Sequence, residues 1–138
     1  KTNISSVGDD SGLIVPAINN EPGLYSARYA GLNATDSDNR NKLISKLKDN
    51  KLESTYAYFF CCIVAVGIKG QNEIIVCDGK VEGEVRTIER GEKGFGYDPM
   101  FYPKGYSESF AELNSLEKNK ISHRGQALKK LMDKLNKT

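Results

Sequence analysis

The sequence predicts an α/β fold, and three stretches carry that prediction. Tyr56 to Ile68 is a run of aromatic and β-branched residues with apolar groups on both faces, the pattern of a central strand. Thr35 to Lys48 repeats Arg40, Leu43, Ile44 and Leu47 at helical spacing, behind Thr35 and Asp38 as a start signal. Leu128, Leu131, Met132 and Leu135 keep i, i+3, i+4, i+7 spacing with lysines opposite, which makes a terminal helix packed on a core.

The remaining elements follow from turn chemistry. Lys69-Gly70-Gln71-Asn72 is polar and glycine-containing, and Glu73 to Cys77 resumes an apolar strand pattern, so the two runs read as a hairpin. Asp78-Gly79 marks a second turn, after which Lys80 to Ile88 alternates as a half-buried strand interrupted by Gly83. Three antiparallel strands are expected. Ser122 stands where it can cap the terminal helix, leaving His123 and Arg124 in a first turn whose amides and dipole favour an anion.

Composition narrows the class of protein. The 138 residues suit one domain, 1–138, with one core. Lysine and arginine total 20 against 18 acidic residues, a net charge of +2, which leaves no basic stripe for a nucleic-acid backbone. Cys61, Cys62 and Cys77 lie in apolar runs, are odd in number and lack metal-ligand spacing, so buried reduced thiols and a reducing, cytoplasmic compartment are expected. No apolar run approaches the roughly 18 residues of a membrane span, and no charged-then-apolar leader occurs, so neither a membrane partner nor a signal peptide is expected. The chain begins with Lys1 and its first methionine is Met100, so natural sequence is expected to precede Lys1.

Several short motifs could carry chemistry. Asp9-Asp10, before Ser11-Gly12 and the apolar Leu13-Ile14-Val15, reads as carboxylates on a turn beside a strand. Such a pair can hold Mg²⁺ through oxygen ligands, and one member can act as general base on water, although acidic residues also populate turns with no further role. Gly91 to Pro99 is rich in glycine, with Arg90 and Lys93, and would let backbone amides approach a phosphate; it is equally an ordinary loop. Phe95 can stack on a base or fill a core, and Asp98, held extended by Pro99, can be a ligand or a turn starter. His123 and Arg124 offer donors to a keto purine, which presents acceptors where adenine presents an amino group. Arg28, among Tyr25 and Tyr29, is a phosphate donor or a surface arginine.

Taken in order, these motifs resemble one family. Asp9-Asp10-Ser11-Gly12-Leu13, Pro22-Gly23 and Tyr25-Ser26-Ala27-Arg28-Tyr29-Ala30-Gly31 are followed by Gly94-Phe95-Gly96-Tyr97-Asp98-Pro99-Met100-Phe101, Phe110-Ala111-Glu112-Leu113 and the stretch from Glu117 through Ile121-Ser122-His123-Arg124-Gly125 to Leu128. The sequence is similar, over nearly its whole length, to the inosine triphosphate pyrophosphatases. The resemblance implies Mg²⁺-dependent hydrolysis of ITP, dITP and XTP to the monophosphate and pyrophosphate. It implies an elongated mixed β-sheet forked into two lobes flanked by helices, and a homodimer. By the same resemblance Asp10 is general base and metal carboxylate, with Asp9 supporting it. Phe95 stacks on the base, Asp98, Ser122, His123 and Arg124 line its polar edge, and Lys118 contacts the nucleotide. Ser11, Gly96 and Tyr97 belong to the same binding motifs, and Arg28 matches a motif residue of less definite role.

One departure from the family pattern stands out. The family carries a longer segment before Asp-Asp-Ser-Gly, with a Thr/Asn/Lys phosphate-binding stretch and a metal-binding glutamate, where this chain has eight residues. The expectation is an N-terminally truncated chain whose parent is a complete enzyme. The alternative is a non-catalytic purine-nucleotide-binding or dimerisation module.

Overall fold

The computed structural model describes residues 6–67 and 74–135. In chain order these form β1 (Ser6–Val15), β2 (Glu21–Pro22), α1 (Asp36–Asp49), β3 (Ser54–Val66), β4 (Ile74–Arg86), β5 (Phe101–Pro103), α2 (Ser115–Ile121) and α3 (His123–Leu135). Short 3₁₀ turns lie at Pro16–Ile18, Gly23–Arg28 and Asp98–Met100. The strands make one sheet in the order β2-β1-β3-β4-β5. The α/β class expected from sequence is present, and every strand pairing among the described residues is antiparallel.

β3 is the central strand, as its two-sided apolar pattern requires. It pairs with β1 from Ser6↔Val66 to Ile14↔Tyr58 and with β4 from Val66↔Ile74 to Ser54↔Arg86. Its odd-numbered side chains Ala57, Phe59, Cys61, Ile63 and Ala65 are buried under the helices, with Val81 and Val85 of β4 and Leu13 and Val15 of β1. The even-numbered face is open, leaving Ile74 and Val76 of β4 63% and 51% exposed. Ile68, the Lys69–Asn72 turn and Glu73 lie outside the described residues, but the register on either side is that of the expected hairpin.

Two expectations for the strands are corrected. Asp78-Gly79 is not a turn, since β4 runs unbroken through both residues and pairs them with Cys62 and Cys61. The glycine is there for close approach: a Cβ at Gly79 would fall on the backbone oxygen of His123 and within 2.9 Å of the Ala127 nitrogen. Asp9-Asp10 is likewise not on a turn but inside β1, opposite Ile63 and Cys62 of β3.

α1 starts and faces as its sequence indicates. Thr35 Oγ1 accepts from the Asp38 amide and Asp38 accepts from the Thr35 amide, a reciprocal cap. Leu43 and Leu47 are fully buried in the main cluster, with Phe59, Phe101, Met100 and Phe110. α3 buries Ala127 and Leu131, whereas Leu128 and Met132, expected on the same stripe, are 46% and 55% exposed. The close approach to Gly79 turns the Ala127–Leu131 row toward the sheet instead. The Leu135 side chain lies outside the described residues. α2 is an element the sequence reading missed, although Asn114 and Glu117 signal its start: the Asn114 Oδ1 accepts from the Glu117 amide at 2.8 Å.

Among the described residues the apolar interior divides into two clusters rather than the single core expected. The smaller one comprises Cys61, Ile63, Ala65, Ile75, Cys77, Ala127 and Leu131. On β4 the break falls between Cys77 and Val81, where Gly79 contributes no side chain and the start of α3 rests directly on the strand. Gly79→Ala is therefore expected to destabilise the chain by about 1–3 kcal/mol, the cost of overpacking against backbone that cannot yield. Gly8→Ala, where an added methyl meets nothing within 4 Å, is expected to leave the urea midpoint nearly unchanged. Equal midpoints for the two variants would show that α3 does not depend on this approach.

Candidate active site

The glycine-rich segment and the α2–α3 corner meet around a short ion pair. Lys118 Nζ, near the end of α2, lies 2.5 Å from Asp98 Oδ2, with both side chains largely buried. The same carboxylate oxygen accepts the Phe95 amide at 3.0 Å. The Lys118 ammonium sits 4.8 Å from the centre of the Phe95 ring and 5.7 Å from that of Phe110. Phe95 itself is 65% exposed. An aromatic side chain displayed to solvent beside a paired carboxylate and cation is a platform for a flat polar ligand.

Ser122 ends one helix and begins the next. Its amide donates to the Lys118 carbonyl at 2.8 Å, and its buried Oγ accepts the Gly125 amide at 3.0 Å, the capping role expected of it. A Cβ at Gly125 would strike the Asn119 carbonyl, so only glycine lets the two helices meet this closely. The Gln126 side chain then bridges to the sheet. Its Nε2 donates to the Lys80 carbonyl at 2.8 Å, and its Oε1 accepts from the Lys80 amide at 3.4 Å.

This packing decides the state of His123. Its ring stacks on Phe59 at 4.8 Å and 12°. Burial, then the nearby charges of Arg124 and Lys118, push its pKa down to about 4. Its Nδ1 is buried without a hydrogen-bond partner. A buried orphan N–H is rarer and less tolerable than an orphan acceptor, so the ring proton belongs on Nε2. The expectation that His123 joins Arg124 as a donor-only group is thus corrected. At neutral pH the ring is uncharged, and Arg124 is the donor-only member of the pair.

The other anticipated residues are distributed around this centre. Arg124 Nη2 approaches Ser11 Oγ at 3.4 Å, linking the start of α3 to β1. Strand alternation places Asp10 on the opposite face from Ser11, exposed to solvent. β2 pairs with β1 only at Ile14 and Val15, so among the described residues Asp9 to Gly12 line an edge of the sheet. A ligand crossing that edge meets Arg124 and Ser11 on one side and Asp10 on the other. Tyr97 is buried and its hydroxyl donates to the Ser26 carbonyl at 2.6 Å, which ties down the Tyr25–Tyr29 segment rather than facing a ligand. Arg28 is exposed on that segment, its guanidinium 5.4 Å from the centre of the Tyr25 ring. Gly96 has a positive φ of 62° and is held at both its amide and its carbonyl by α1.

Because His123 is the only histidine, its titration is directly observable. The folded ring stays neutral until about pH 4, whereas the unfolded ring takes its proton near 6.5. The unfolded state therefore binds more protons between those values. This contribution to stability is complete above about 6.5 and lost as pH falls toward about 4, at most about 3 kcal/mol. An imidazole C2–H resonance followed by NMR is expected to titrate well below 6. A midpoint near 6.5 would mean that the ring is not held in this environment.

Comparison with known proteins bears out the resemblance carried by the motifs. A family model, the Ham1 family, matches residues 1–134. A dITP/XTP pyrophosphatase from Idiomarina loihiensis is 47% identical over 137 residues, covering 99% of this chain and 68% of its own length. One from Clostridium perfringens is 50% identical over 129 residues, covering 94% of this chain and 62% of its own length. The solved structure of a HAM1 protein from Coxiella burnetii is 40% identical, with a TM-score of 0.90, and is matched over 99% of this chain and 70% of its own. The chain thus spans roughly two thirds of the length of these relatives. Sequence and fold together establish that it belongs to the Ham1 family.

Proposed function

We propose that this chain belongs to an enzyme that hydrolyses ITP, dITP and XTP to the monophosphate and pyrophosphate, removing deaminated purines from the nucleotide pool. The observation that carries this reading is the exposed Phe95 ring beside the Asp98–Lys118 pair, in a chain whose relatives are named dITP/XTP pyrophosphatases. The purine stacks on Phe95. A keto purine presents acceptors at O6 and N7 to the Arg124 guanidinium and carries an N1–H that a carboxylate such as Asp98 can accept. Adenine offers an amino group and a bare N1 at the same edge, leaving donor against donor and acceptor against acceptor. A buried mismatch of this kind costs roughly 1–3 kcal/mol per group. Ser122 holds the corner that presents these groups. A non-catalytic module is not favoured, since the relatives are named for turnover.

At the phosphate end Asp10 is the proposed general base. It takes a proton from water as the water oxygen bonds to the α-phosphorus. The bond from that phosphorus to the bridging oxygen breaks, and pyrophosphate leaves. Among the described residues no three His, Cys, Asp or Glu side chains gather into a metal site, so these residues build no all-protein cage. An exposed Asp10 fits the other kind of Mg²⁺ site, in which one or two carboxylates, several waters and the substrate's phosphates share the ion; the Asp9 side chain lies outside the described residues. Bound there, Mg²⁺ would neutralise charge on the phosphoryl oxygens. Ser11 and Arg28 are proposed phosphate or sugar contacts.

We place the enzyme in the cytoplasm because Cys61, Cys62 and Cys77 carry thiols rather than disulfides. Its assembly as a homodimer rests on the family resemblance. No helix among the described residues is long and apolar enough to cross a membrane. Pyrophosphate release from dITP, XTP and dATP, with and without Mg²⁺, tests the reading on the full natural protein. Asp10→Asn is expected to lower kcat for dITP about 100-fold or more while leaving affinity within a few fold, and retained turnover would remove Asp10 as the base. Arg124→Ala is expected to erode the dITP-over-dATP preference about tenfold; an unchanged ratio would contradict its role at the base edge.

A further inference from the structure

Phe95 stands between Gly94 and Gly96, both with positive φ, at 77° and 62°. Two such glycines give a loop wide conformational freedom, and a ring 65% exposed has little packing of its own to hold it. Asp98 bonds the Phe95 amide and carbonyl from the C-terminal side of the loop, and helix α1 adds a second restraint from about sixty residues away in sequence. Asp36 Oδ2 accepts the Gly96 amide at 2.9 Å, and Arg40 Nη1 donates to the Gly96 carbonyl at 2.7 Å. Arg40 Nε also donates to Glu89 Oε1 at 2.8 Å, which fixes the guanidinium fork. Asp36 and Arg40 are one helical turn apart and therefore share a face. The helix that carries them is anchored by its reciprocal cap and by the fully buried Leu43 and Leu47.

We propose that Asp36 and Arg40 are positioning residues for nucleotide binding, gripping the Gly96 residue at both its amide and its carbonyl so that the Phe95 ring is presented in one orientation. Neither side chain needs to touch the nucleotide. The inference rests on the reading of Phe95 as the base platform. The carbonyl half of the grip requires the two-pronged guanidinium, which serves Gly96 and Glu89 at once, so lysine is a poor replacement. The amide half requires only an acceptor, which asparagine retains and alanine lacks.

The test combines a structural and a kinetic readout on the full natural protein. Asp36→Ala and Arg40→Ala are each expected to raise KM for dITP about five- to tenfold with kcat within about twofold, because binding rather than chemistry is affected. Asp36→Asn is expected to restore most of the affinity, which separates the grip from general helix stability. Amide exchange at Gly96, followed by NMR, is expected to accelerate in Asp36→Ala and to stay slow in Asp36→Asn. In a Phe95→Ala background both alanine substitutions are expected to change KM less than about twofold, since they act through the ring. A full effect persisting without Phe95, or Gly96 exchange indifferent to Asp36, would overturn the proposal. A normal KM in Phe95→Ala alone would remove the base-platform reading and this proposal with it, while the exchange data would still report whether α1 grips the loop.

Discussion

The architecture of the site depends on how closely the start of α3 lies against β4. At Gly79 the strand has no side chain, and the His123 carbonyl occupies the space that a Cβ would take. The three residues at the helix start, Ser122, His123 and Arg124, inherit their positions from that contact. Gln126 reinforces it with both halves of its amide. β5 pairs with β4 only from Gly83 to Val85, so the Lys80 backbone falls beyond the end of that ladder. Gln126 bonds to both its amide and its carbonyl, doing for this stretch of edge what a neighbouring strand would do. One side chain thus closes the sheet edge and fixes the first turn of the helix.

α1 does comparable work on the other side. Asn39 is buried, accepts the Ala30 amide at 2.8 Å and donates to the Ala27 carbonyl at 3.2 Å, while Lys42 donates to the Tyr29 carbonyl at 2.9 Å. The segment bearing Arg28 is further tied to β1, because Ser26 Oγ accepts the Leu13 amide at 3.0 Å. One helix therefore holds, along successive positions, both the Tyr25–Tyr29 segment and the loop bearing Phe95. Asp36, Asn39, Arg40 and Lys42 thus give side-chain groups to neighbouring backbone. This explains why its apolar stripe is only Leu43 and Leu47, with Ile44 at the margin: the rest of the inward surface is given to main-chain groups that would otherwise be orphaned.

Local signals in the sequence were legible where the interaction is local. The cap at Thr35 and Asp38 and the alternation of Val81 and Val85 depend on residues a few positions apart, and the structure shows both. The stripe expected for α3 was only partly legible, since Leu131 is buried but Leu128 and Met132 are exposed. Gly79 was misread because a glycine after an aspartate signals a turn by its neighbours, whereas its actual reason lies on a helix more than forty residues on. Asp9-Asp10 was set on a turn for the same kind of reason, since acidic and small residues are poor strand formers in isolation; pairing with β3 overrides that preference. The sequence offered candidate site residues through their motifs, but the gripping of Gly96 by Asp36 and Arg40 had no such signal. No spacing rule connects a helix start to a glycine sixty residues away.

The electrostatics of the site follow from this packing. Lys118, paired with the buried Asp98, and Arg124 are two cations near His123, and a third charge on its ring would have to be accommodated between Phe59 and the helix backbone. Stacking on Phe59 removes water from the ring, and the two nearby cations oppose its protonation, so burial and charge act in the same direction. A neutral imidazole has a further consequence for recognition. Its protonated nitrogen remains a donor, yet it adds no net charge to attract phosphate toward the base pocket. Of the two cations that act on His123, Lys118 is already paired with Asp98 and Arg124 reaches toward β1. On the proposed reading, a neutral His123 and a paired Lys118 leave the Phe95 platform and Arg124 to discriminate between bases by hydrogen-bond pattern rather than by net charge.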